Sequence, residues 1–286
     1  MNSQIKPDHK QADAISSIIL ERIKTNHLDI PLLPDVANRV VRLTQDSESS
    51  AQALAQLVQS DQTLAAHIIR VANSATYSPN SSIVSMQQAI TRLGLHTIGE
   101  IALATSVNAS LFHAPGFKKE IESYLVNSLK CALWSKEVAR ICRKNVGAAF
   151  LGGLLSNIGK PMVLHTAFEI CEKEGITLDK AYSDMLTIKF ARAMSSRLVS
   201  AWEMPLSVQH VVIYFDKYNQ EHDHALQTHI AVAGETLAHH YDGTPEQSTY
   251  IKAHPVFDLL NLYEDEIDNL FKKHDNILET VETMRT

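Results

Sequence analysis

The sequence predicts an all-α fold, and three observations support this prediction. Only 10 Gly and 9 Pro occur among the 286 residues, so the residues that interrupt helices are rare. Ala, Leu, Ile, Gln and Lys are common, and such a composition favours long helices over a sheet with many turns. Apolar residues also recur with helical spacing, as at Val36, Val40, Val41 and Leu43. A chain of this length can bury one large core or two lobes that share an interface.

Short polar joints divide the first part of the chain into a series of predicted helices. Most of them begin at a Ser or Asp, whose side chain can accept hydrogen bonds from the free amides of the first turn. Gly94 is expected to end one helix, because glycine adopts the left-handed conformation of a helix end at little cost. The predicted segments are 8–25, a helix capped by Asp35, one after Ser50, one capped by Asp61, one from Ser85 to Gly94, and 96–111.

Residues 113–116, His-Ala-Pro-Gly, are the predicted boundary between two lobes, because Pro and Gly together favour a break. The joint is short, so the lobes are expected to pack tightly against each other. We therefore divide the chain into an N-terminal helix at 1–27, a body at 28–240 with lobes at about 28–113 and 117–240, and a helical tail at 241–286. The helices predicted after the joint are 117–143, 148–157 closed by Gly159, a segment from a Thr177 cap through Met185, 191–202 ended by Pro205, 206–215, 224–241 and 264–284.

The tail carries an apolar stripe with helical spacing. Such a stripe can dock on the core of its own chain or on a partner protein, and docking on the chain's own core is the favoured interpretation. The residues of the stripe are Ile267, Leu270, Phe271, Ile277 and Val281.

Composition and charge exclude several classes of protein. The net charge is −6 and no stretch is strongly basic, whereas nucleic-acid binders concentrate Lys and Arg on one face. Cys131, Cys142 and Cys171 form no CxxC pair, which indicates buried thiols in a reducing compartment. Residues 1–12 are polar, and the longest uncharged run, 145–159, is shorter than the roughly 20 apolar residues of a membrane span. We expect a soluble, cytoplasmic protein with neither nucleic acid nor membrane among its partners.

Several features of the first lobe occur in a definite order and spacing. They are Leu33-Pro34, Asp61 with Leu64, Arg70 followed by Ala72-Asn73-Ser74, Ile83, Ala89-Ile90 and Leu93-Gly94. Together they resemble the HDOD family, the HD-related output domains of bacterial signalling proteins. Gln62 departs from the pattern, since the family often has proline there, and this changes only how a helix starts.

Three segments of the second lobe also form a pattern: Asn127-Ser128, the stretch 151–160, and 202–205, Trp-Glu-Met-Pro. They resemble the helical core of HD phosphohydrolases, which carry His-Ser at the first, Gly-Leu-Leu-His-Asp-Ile-Gly-Lys at the second and a tryptophan–proline turn at the third. Together the two resemblances cover about residues 28–240 and imply an HD-domain/phosphodiesterase-like architecture.

The same resemblance implies that the metal site of these hydrolases is degenerate here. HD hydrolases hold divalent metals among imidazoles and carboxylates, which polarise a phosphoryl group and activate water. At the corresponding positions this chain has Asn127, Ser156-Asn157, Ala191, Phe215-Asp216 and, near the final aspartate, Glu235. Alanine and phenylalanine cannot bind a metal, and amide or hydroxyl oxygens are weak ligands. We expect no catalytic residue, no metal and no cofactor, only a vestigial pocket with Asn127, Ser156, Asn157, Asp216 and Glu235 as candidate lining residues.

Two further features have alternative interpretations. His222-Asp223-His224 contains a literal His-Asp pair and could bind a metal with His229 or His239. The favoured interpretation is a solvated joint at 216–223 that enters a helix, with His239 and His240 at the exposed end of that helix. Gly152 and Gly153 lie in mid-helix, where they either allow another helix to approach closely, with the Asn127 helix as the candidate, or leave room for a ligand; close packing is favoured.

The composition, the motifs and the two resemblances leave three possible functions. The leading hypothesis is a non-catalytic regulatory module that passes a signal through contacts with signalling proteins that the sequence does not name. No receiver or cyclase domain is recognised in the chain, so we expect the input to come from a separate protein or a bound ligand. The runner-up is a metal-dependent HD-type phosphohydrolase acting on a nucleotide or phosphodiester. The third is a sensor that binds a small ligand in the vestigial pocket without metal.

Overall fold

The all-α prediction is confirmed by the computed structural model, which describes residues 9–45, 50–77 and 82–285. Every regular element in these ranges is a helix, and short 3₁₀ turns occur at Ala109–Leu111 and Phe215–Lys217. Asp8 and Thr286, the predicted first residue of the first helix and last residue of the tail, lie outside the described residues. The α-helices are α1 His9–Thr25, α2 Asp35–Gln45, α3 Ala51–Gln59, α4 Gln62–Ala72, α5 Met86–Leu93, α6 Leu95–Ser106, α7 Lys118–Ile141, α8 Val146–Ser156, α9 Gly159–Glu174, α10 Lys180–Ala201, α11 Leu206–Tyr214, α12 Ala225–His240, α13 Pro245–Lys252, α14 Pro255–Leu259, α15 Glu264–Phe271 and α16 His274–Arg285.

Helices α2 to α6 form the first lobe, and three of their predicted start signals are confirmed. The Ser50 hydroxyl accepts from the Ala53 amide at 3.1 Å, and the Asp61 carboxylate accepts from the Leu64 amide at 3.0 Å. Ser85 and Gln88 form a reciprocal capping box at the start of α5. The prediction for Asp35 was wrong by one position, because Asp35 is itself the first residue of α2.

The end of α4 is joined to the segment before α5 by Asn73. Its amide nitrogen donates to the Ile69 carbonyl at 3.0 Å and to the Ile83 carbonyl at 2.7 Å. Its amide oxygen accepts from the Ile83 N–H at 2.7 Å. Asn73 therefore ends the helix and also satisfies both backbone groups of Ile83, a residue of the core.

We expect Asn73→Ala to lower the free energy of unfolding by about 1–3 kcal/mol, because it leaves buried backbone groups of Ile83 without partners. Urea denaturation monitored by circular dichroism measures this loss. Thr91→Ala is the control, because the Thr91 hydroxyl donates to the Gln87 carbonyl of its own helix at an exposed position; its effect should stay within about 0.5 kcal/mol. Equal effects of the two substitutions would contradict the bridging role of Asn73.

Helix α7 is the centre of the second lobe, and α8 and α12 pack closely against it. A Cβ atom at Gly153 would lie 2.8 Å from both Ala132 Cα and the Cys131 carbonyl oxygen of α7. A Cβ at Gly234 of α12 would lie 2.8 Å from the Ser135 nitrogen and 2.9 Å from the same Cys131 oxygen. The packing interpretation of Gly153 is thus confirmed, and its partner is the Asn127 helix.

Several predicted boundaries in the second half were wrong. Gly159 does not close α8 but begins α9, a helix that we did not predict. One continuous helix, α10, replaces the two segments predicted at 177–185 and 191–202. Its cap is Asp179 and not Thr177: the Asp179 carboxylate accepts from the Tyr182 amide at 2.8 Å. The helix predicted at 96–111 ends at Ser106. The tail helix is divided into α15 and α16, and α13 and α14 precede it.

Both terminal segments pack on the body of the protein. Helix α1 contacts α9 and α10 of the second lobe, with the Arg197 guanidinium donating to the Ile23 carbonyl at 2.6 Å. Helix α16 packs on α6 and α7, so it contacts both lobes. All five residues of the tail stripe are buried in the core, as the favoured interpretation predicted. None of the helices in the described ranges is long and apolar enough to cross a membrane.

The two lobes are joined by polar contacts as well as by apolar packing. Glu100 of α6 and Lys136 of α7 form an ion pair in which the two side chains are 5% and 7% exposed. Burial raises the pKa of the Glu100 carboxyl, and the nearby Lys136 ammonium opposes that rise. The Trp202 indole nitrogen of the second lobe donates to the Pro31 carbonyl at 2.8 Å. These contacts hold the lobes in one arrangement.

Candidate functional site

Arg192 of α10 lies at the centre of the vestigial pocket that the sequence predicts. Its guanidinium forms a two-pronged ion pair with Asp216, at 3.0 Å from Nε to Oδ2 and 2.9 Å from Nη2 to Oδ1. Nη1 donates to the backbone carbonyl of Ser156 at the end of α8. The guanidinium carbon also lies 4.3 Å from the ring centre of Phe215. This one cation therefore connects α8, α10 and the turn after α11.

The remaining polar groups of the pocket bond to one another. The Asn157 amide nitrogen donates to Glu235 Oε1 at 2.6 Å, across from α8 to α12. The Ser156 hydroxyl donates to the Gly153 carbonyl at 2.9 Å. The Ser195 hydroxyl donates to the Ser156 carbonyl at 3.1 Å. We refer to Arg192, Asp216, Ser156, Asn157 and Glu235 as the Arg192 centre.

Four of the five predicted pocket residues therefore lie together, while Asn127 is set apart. Asn127 is half-buried on α7, one turn before Cys131, and no hydrogen bond joins it to the other four in the described part of the chain. Cys131 lies 4.0 Å from the Ser156 hydroxyl. Burial, and secondly the Glu235 charge, raises the pKa of the Cys131 thiol to about 12, so the thiol stays protonated and is no nucleophile.

Sequence reasoning missed Arg192, although it singled out Ala191 beside it. The sequence comparison considered only the positions that bind metal in the catalytic relatives. Arg192 is not one of these positions, although its side chain reaches into the site. A signal was present, because a guanidinium has five N–H donors that need acceptors. The best acceptors nearby are the carboxylate of Asp216 and a free carbonyl at the end of α8.

The donor set of this centre does not fit a metal ion. A guanidinium occupies the space between Asp216 and the Ser156 carbonyl, and its positive charge opposes a divalent cation there. Within residues 9–45, 50–77 and 82–285, no group of three or more His, Cys, Asp or Glu is arranged to hold a metal ion. The two carboxylates remain accessible from a cleft of about 370 Å³, which His239, His240 and His254 also line.

The His222-Asp223-His224 sequence forms a stacked cluster. The His222 ring stacks on Tyr214 with 4.1 Å between ring centres. Its Nδ1 accepts from the His224 N–H at 3.3 Å, so in the neutral ring Nε2 carries the proton toward Thr228 Oγ1, 3.2 Å away. Burial, followed by His210 and His224, lowers the pKa of His222. Both ring nitrogens are occupied, and His239 and His240 are exposed at the end of α12 as expected.

Comparison with protein families supports the resemblance seen in the sequence. The family model of the HDOD domain matches residues 30–218, which is more than half of the chain. This range lies within the predicted body at 28–240. No curated protein matches the sequence.

Solved structures show the same fold at low sequence identity. A "Putative metal-dependent phosphohydrolase" from Shewanella amazonensis SB2B is 22% identical with a TM-score of 0.71, over 96% of this chain and 98% of that one. An HDOD domain protein of unknown function from Geobacter sulfurreducens is 17% identical with a TM-score of 0.71, over 97% and 98%. A "Putative signal transduction protein" from Marinobacter aquaeolei VT8 is 21% identical with a TM-score of 0.69, over 99% and 68%.

Proposed function

The chain belongs to the HDOD family, and from this premise we propose that it is a non-catalytic bacterial signalling module of the cytoplasm. In this proposal it acts by binding signalling proteins or a small ligand and turns over no substrate. The observation that carries the proposal is the Arg192 centre. There an arginine side chain of the protein itself is bonded to the carboxylate and carbonyl oxygens that a metal ion would need.

The chemistry of the centre supports this proposal in two ways. Asp216 accepts two guanidinium N–H groups, and Glu235 Oε1 accepts from the Asn157 amide, so each carboxylate already has a donor within the protein. The groups between them are an amide, a hydroxyl and a protonated thiol, none of which is a general base near neutral pH. What remains is a polar network whose members bond to one another, which suits a structural or recognition role.

Metal content and hydrolysis test the proposal together. We expect the purified protein to carry far less than one Mn, Fe, Zn or Mg ion per chain by mass spectrometry. With millimolar Mn²⁺ added, it should hydrolyse bis(p-nitrophenyl) phosphate no faster than buffer. A half-buried guanidinium bonded to Asp216 and to the Ser156 carbonyl explains both expected results.

The matched variant is Asp216→Asn with Glu235→Gln, which removes the two anionic oxygens and keeps the size of the side chains. Stoichiometric metal with turnover that this variant abolishes would identify a metal-dependent phosphohydrolase and overturn the non-catalytic proposal. Turnover that the variant retains would arise outside the Arg192 centre, because the variant leaves no carboxylate in it.

A further inference from the structure

Four histidines lie close together where α11 is joined to α12. His210 belongs to α11, His222 and His224 belong to the segment 215–224 between the two helices, and His229 belongs to α12. The His210 ring centre lies 5.0 Å from that of His224 and 6.1 Å from that of His222. Imidazoles at such distances repel one another once more than one of them is charged. We refer to these four residues as the histidine cluster.

The hydrogen bonds of His222 require its ring to be neutral. Nδ1 accepts from the His224 N–H at 3.3 Å, and Nε2 donates its proton to Thr228 Oγ1 at 3.2 Å. The Thr228 hydroxyl in turn donates to the His224 carbonyl at 3.3 Å. A second proton on the ring would have to bind to Nδ1, where it would face the backbone N–H that Nδ1 now accepts from. Protonation of His222 therefore breaks a contact at the start of α12.

The surroundings of His210 also disfavour a charge. Its Nδ1 atom is buried and has no hydrogen-bond partner among the described residues. An imidazolium has a proton on both ring nitrogens, so a charged His210 would have a buried N–H without an acceptor. Tyr214 connects this ring to the segment 215–224, because its own ring lies 6.0 Å from that of His210 and stacks on that of His222 at 4.1 Å. The two histidines are thus parts of one packed unit.

Burial and the neighbouring rings both act against a charge on His222. Burial first, and then His210 and His224, lowers its pKa, and His229 is a fourth ring that acts in the same direction. Asp223 acts in the opposite direction. The Asp223 side chain is exposed, so solvent screens its charge.

The elements packed around the cluster bring groups that are uncharged, cationic or already paired. Helix α8 packs on α11 and α12 and has no titratable side chain. Arg192 of α10 is paired with Asp216, and Cys131 of α7 bonds a carbonyl of α12 through a protonated thiol. His254, just before α14, stacks on Tyr218. The remaining charged residues of the segment 215–224 are exposed, namely Lys217 and Glu221. The carboxylates of this segment are therefore in solvent, where they stabilise a charged ring only weakly.

We propose that the histidine cluster is a pH-sensitive latch that holds the segment 215–224 against α11 and α12. Near neutral pH the rings are uncharged, and the segment is bound. As the pH falls below about 6, protons bind to the cluster, His222 loses its bond from the His224 N–H, and the segment opens. Asp216 lies on the same segment, so its ion pair with Arg192 loosens when the segment opens. The latch does not depend on whether the Arg192 centre is catalytic.

Hydrogen exchange of the full chain, measured by mass spectrometry at about pH 7.5 and about pH 5.5, tests the latch on both sides of the range in which histidine titrates. Protection of the amides in peptides from 215–228, corrected for the intrinsic effect of pH on exchange, measures how often the segment opens. His222 has its ordinary pKa of 6.5 in the open segment and a lowered pKa in the closed one. Protection is therefore complete above the pKa of the open segment and is lost as the pH falls toward the lowered pKa. We expect a loss of about tenfold at the lower pH, the effect of one such histidine. Peptides of α3, which has no titratable side chain, should not change.

Three variants assign the response to the cluster. His222→Asn removes the titrating ring and retains an acceptor for the His224 N–H, because Oδ1 can take the place of Nδ1. Its protection at neutral pH should be close to that of wild type, and the loss in acid should shrink to less than about threefold. His210→Asn removes the nearest charge and should also weaken the response. The matched control is His239→Asn, the same substitution at the exposed end of α12, which should respond like wild type. Circular dichroism verifies that each variant is folded.

Three results would overturn the proposal. The first is equal protection of the wild-type segment at the two pH values, a result that needs no variant. The second is a loss of the same size in α3, which would mean that the whole protein unfolds in acid and that no local latch exists. The third is a full response in the folded His222→Asn and His210→Asn variants, because the protons would then bind elsewhere. Metal content and phosphodiester hydrolysis test the Arg192 centre separately and do not enter this experiment.

Discussion

Lys136→Met is expected to lower the free energy of unfolding by about 3–5 kcal/mol, the range for removal of one partner from a buried ion pair. Lys136 Nζ contacts the Glu100 carboxylate between α7 and α6, and both side chains are almost fully buried. Methionine fills a similar volume but leaves the carboxylate in the core without a counter-charge. Urea denaturation at neutral pH measures the loss.

The double replacement Lys136→Met with Glu100→Leu distinguishes two contributions to the free energy of unfolding. One is the net contribution of the ion pair, and the other is the cost of leaving the Glu100 charge buried without a partner. Two apolar side chains of similar volume often match or exceed the stability of a buried ion pair. We therefore expect the double variant to recover most of the stability lost by the single one. The control is Arg39→Met, which removes an exposed pair with Asp35 at 3.6 Å and should change stability by less than about 1 kcal/mol.

The pH dependence of the Lys136→Met variant provides a second readout. The pKa of Glu100 is already raised above its ordinary value of 4.5 by burial, and loss of the lysine removes the main group that opposes this rise. Folded Glu100 then holds a proton at pH values where the unfolded chain has lost it, so stability falls as pH rises through that window. The deficit relative to wild type should be smaller in acid than at neutral pH. A deficit independent of pH, or below about 1 kcal/mol, would contradict the account.

Local signals in the sequence predicted much of this fold. Three helices begin after a predicted cap, namely Ser50, Asp61 or Ser85. A short side chain with an oxygen atom at this position accepts a hydrogen bond from a free backbone amide of the first turn. The tail stripe is buried because an amphipathic helix needs a surface to cover its apolar face. These predictions depended on residues that are near one another in the chain, so they needed no knowledge of the tertiary structure.

The errors occurred where tertiary contacts override the local signal. Gly159 was expected to end a helix, since glycine commonly does. It begins α9 instead, and the position requires glycine because its contact with α10 leaves no room for a side chain. Similarly, Arg192 is an ordinary helical residue in the sequence, and only the fold places Asp216 and the end of α8 within its reach. The structure thus brings four of the five candidate pocket residues together, and the cation between them was not foreseen from the sequence.

The same contact leads to the prediction that Gly159→Ala destabilises the protein by at least about 3 kcal/mol, the upper part of the range for overpacking. A Cβ atom at Gly159 would collide with the Ala191 carbonyl oxygen and lie 2.5 Å from the Ser195 nitrogen. Both are backbone atoms of α10, so no side-chain rotation can relieve the collision. The two helices would have to separate.

Separation of α9 from α10 would also disturb the Arg192 centre. The Gly159 amide donates to the Ser195 hydroxyl at 2.7 Å, and that hydroxyl donates to the Ser156 carbonyl, which also accepts from Arg192. The loss should therefore include hydrogen bonds as well as packing. Thermal unfolding and urea denaturation of the Gly159→Ala variant measure the total.

Gly152→Ala is the matched control for this prediction, because it makes the same substitution seven positions earlier in the chain. The atoms nearest to a Cβ there belong to the Val211 side chain, the first at 3.3 Å, and this side chain can shift by a few tenths of an ångström. Alanine also gains about 1 kcal/mol of helix propensity over glycine, so the net change should lie within about 1 kcal/mol. If Gly159→Ala proved equally mild, α9 and α10 would not be packed backbone against backbone, and the Ser195 link from α9 to the Arg192 centre would not hold.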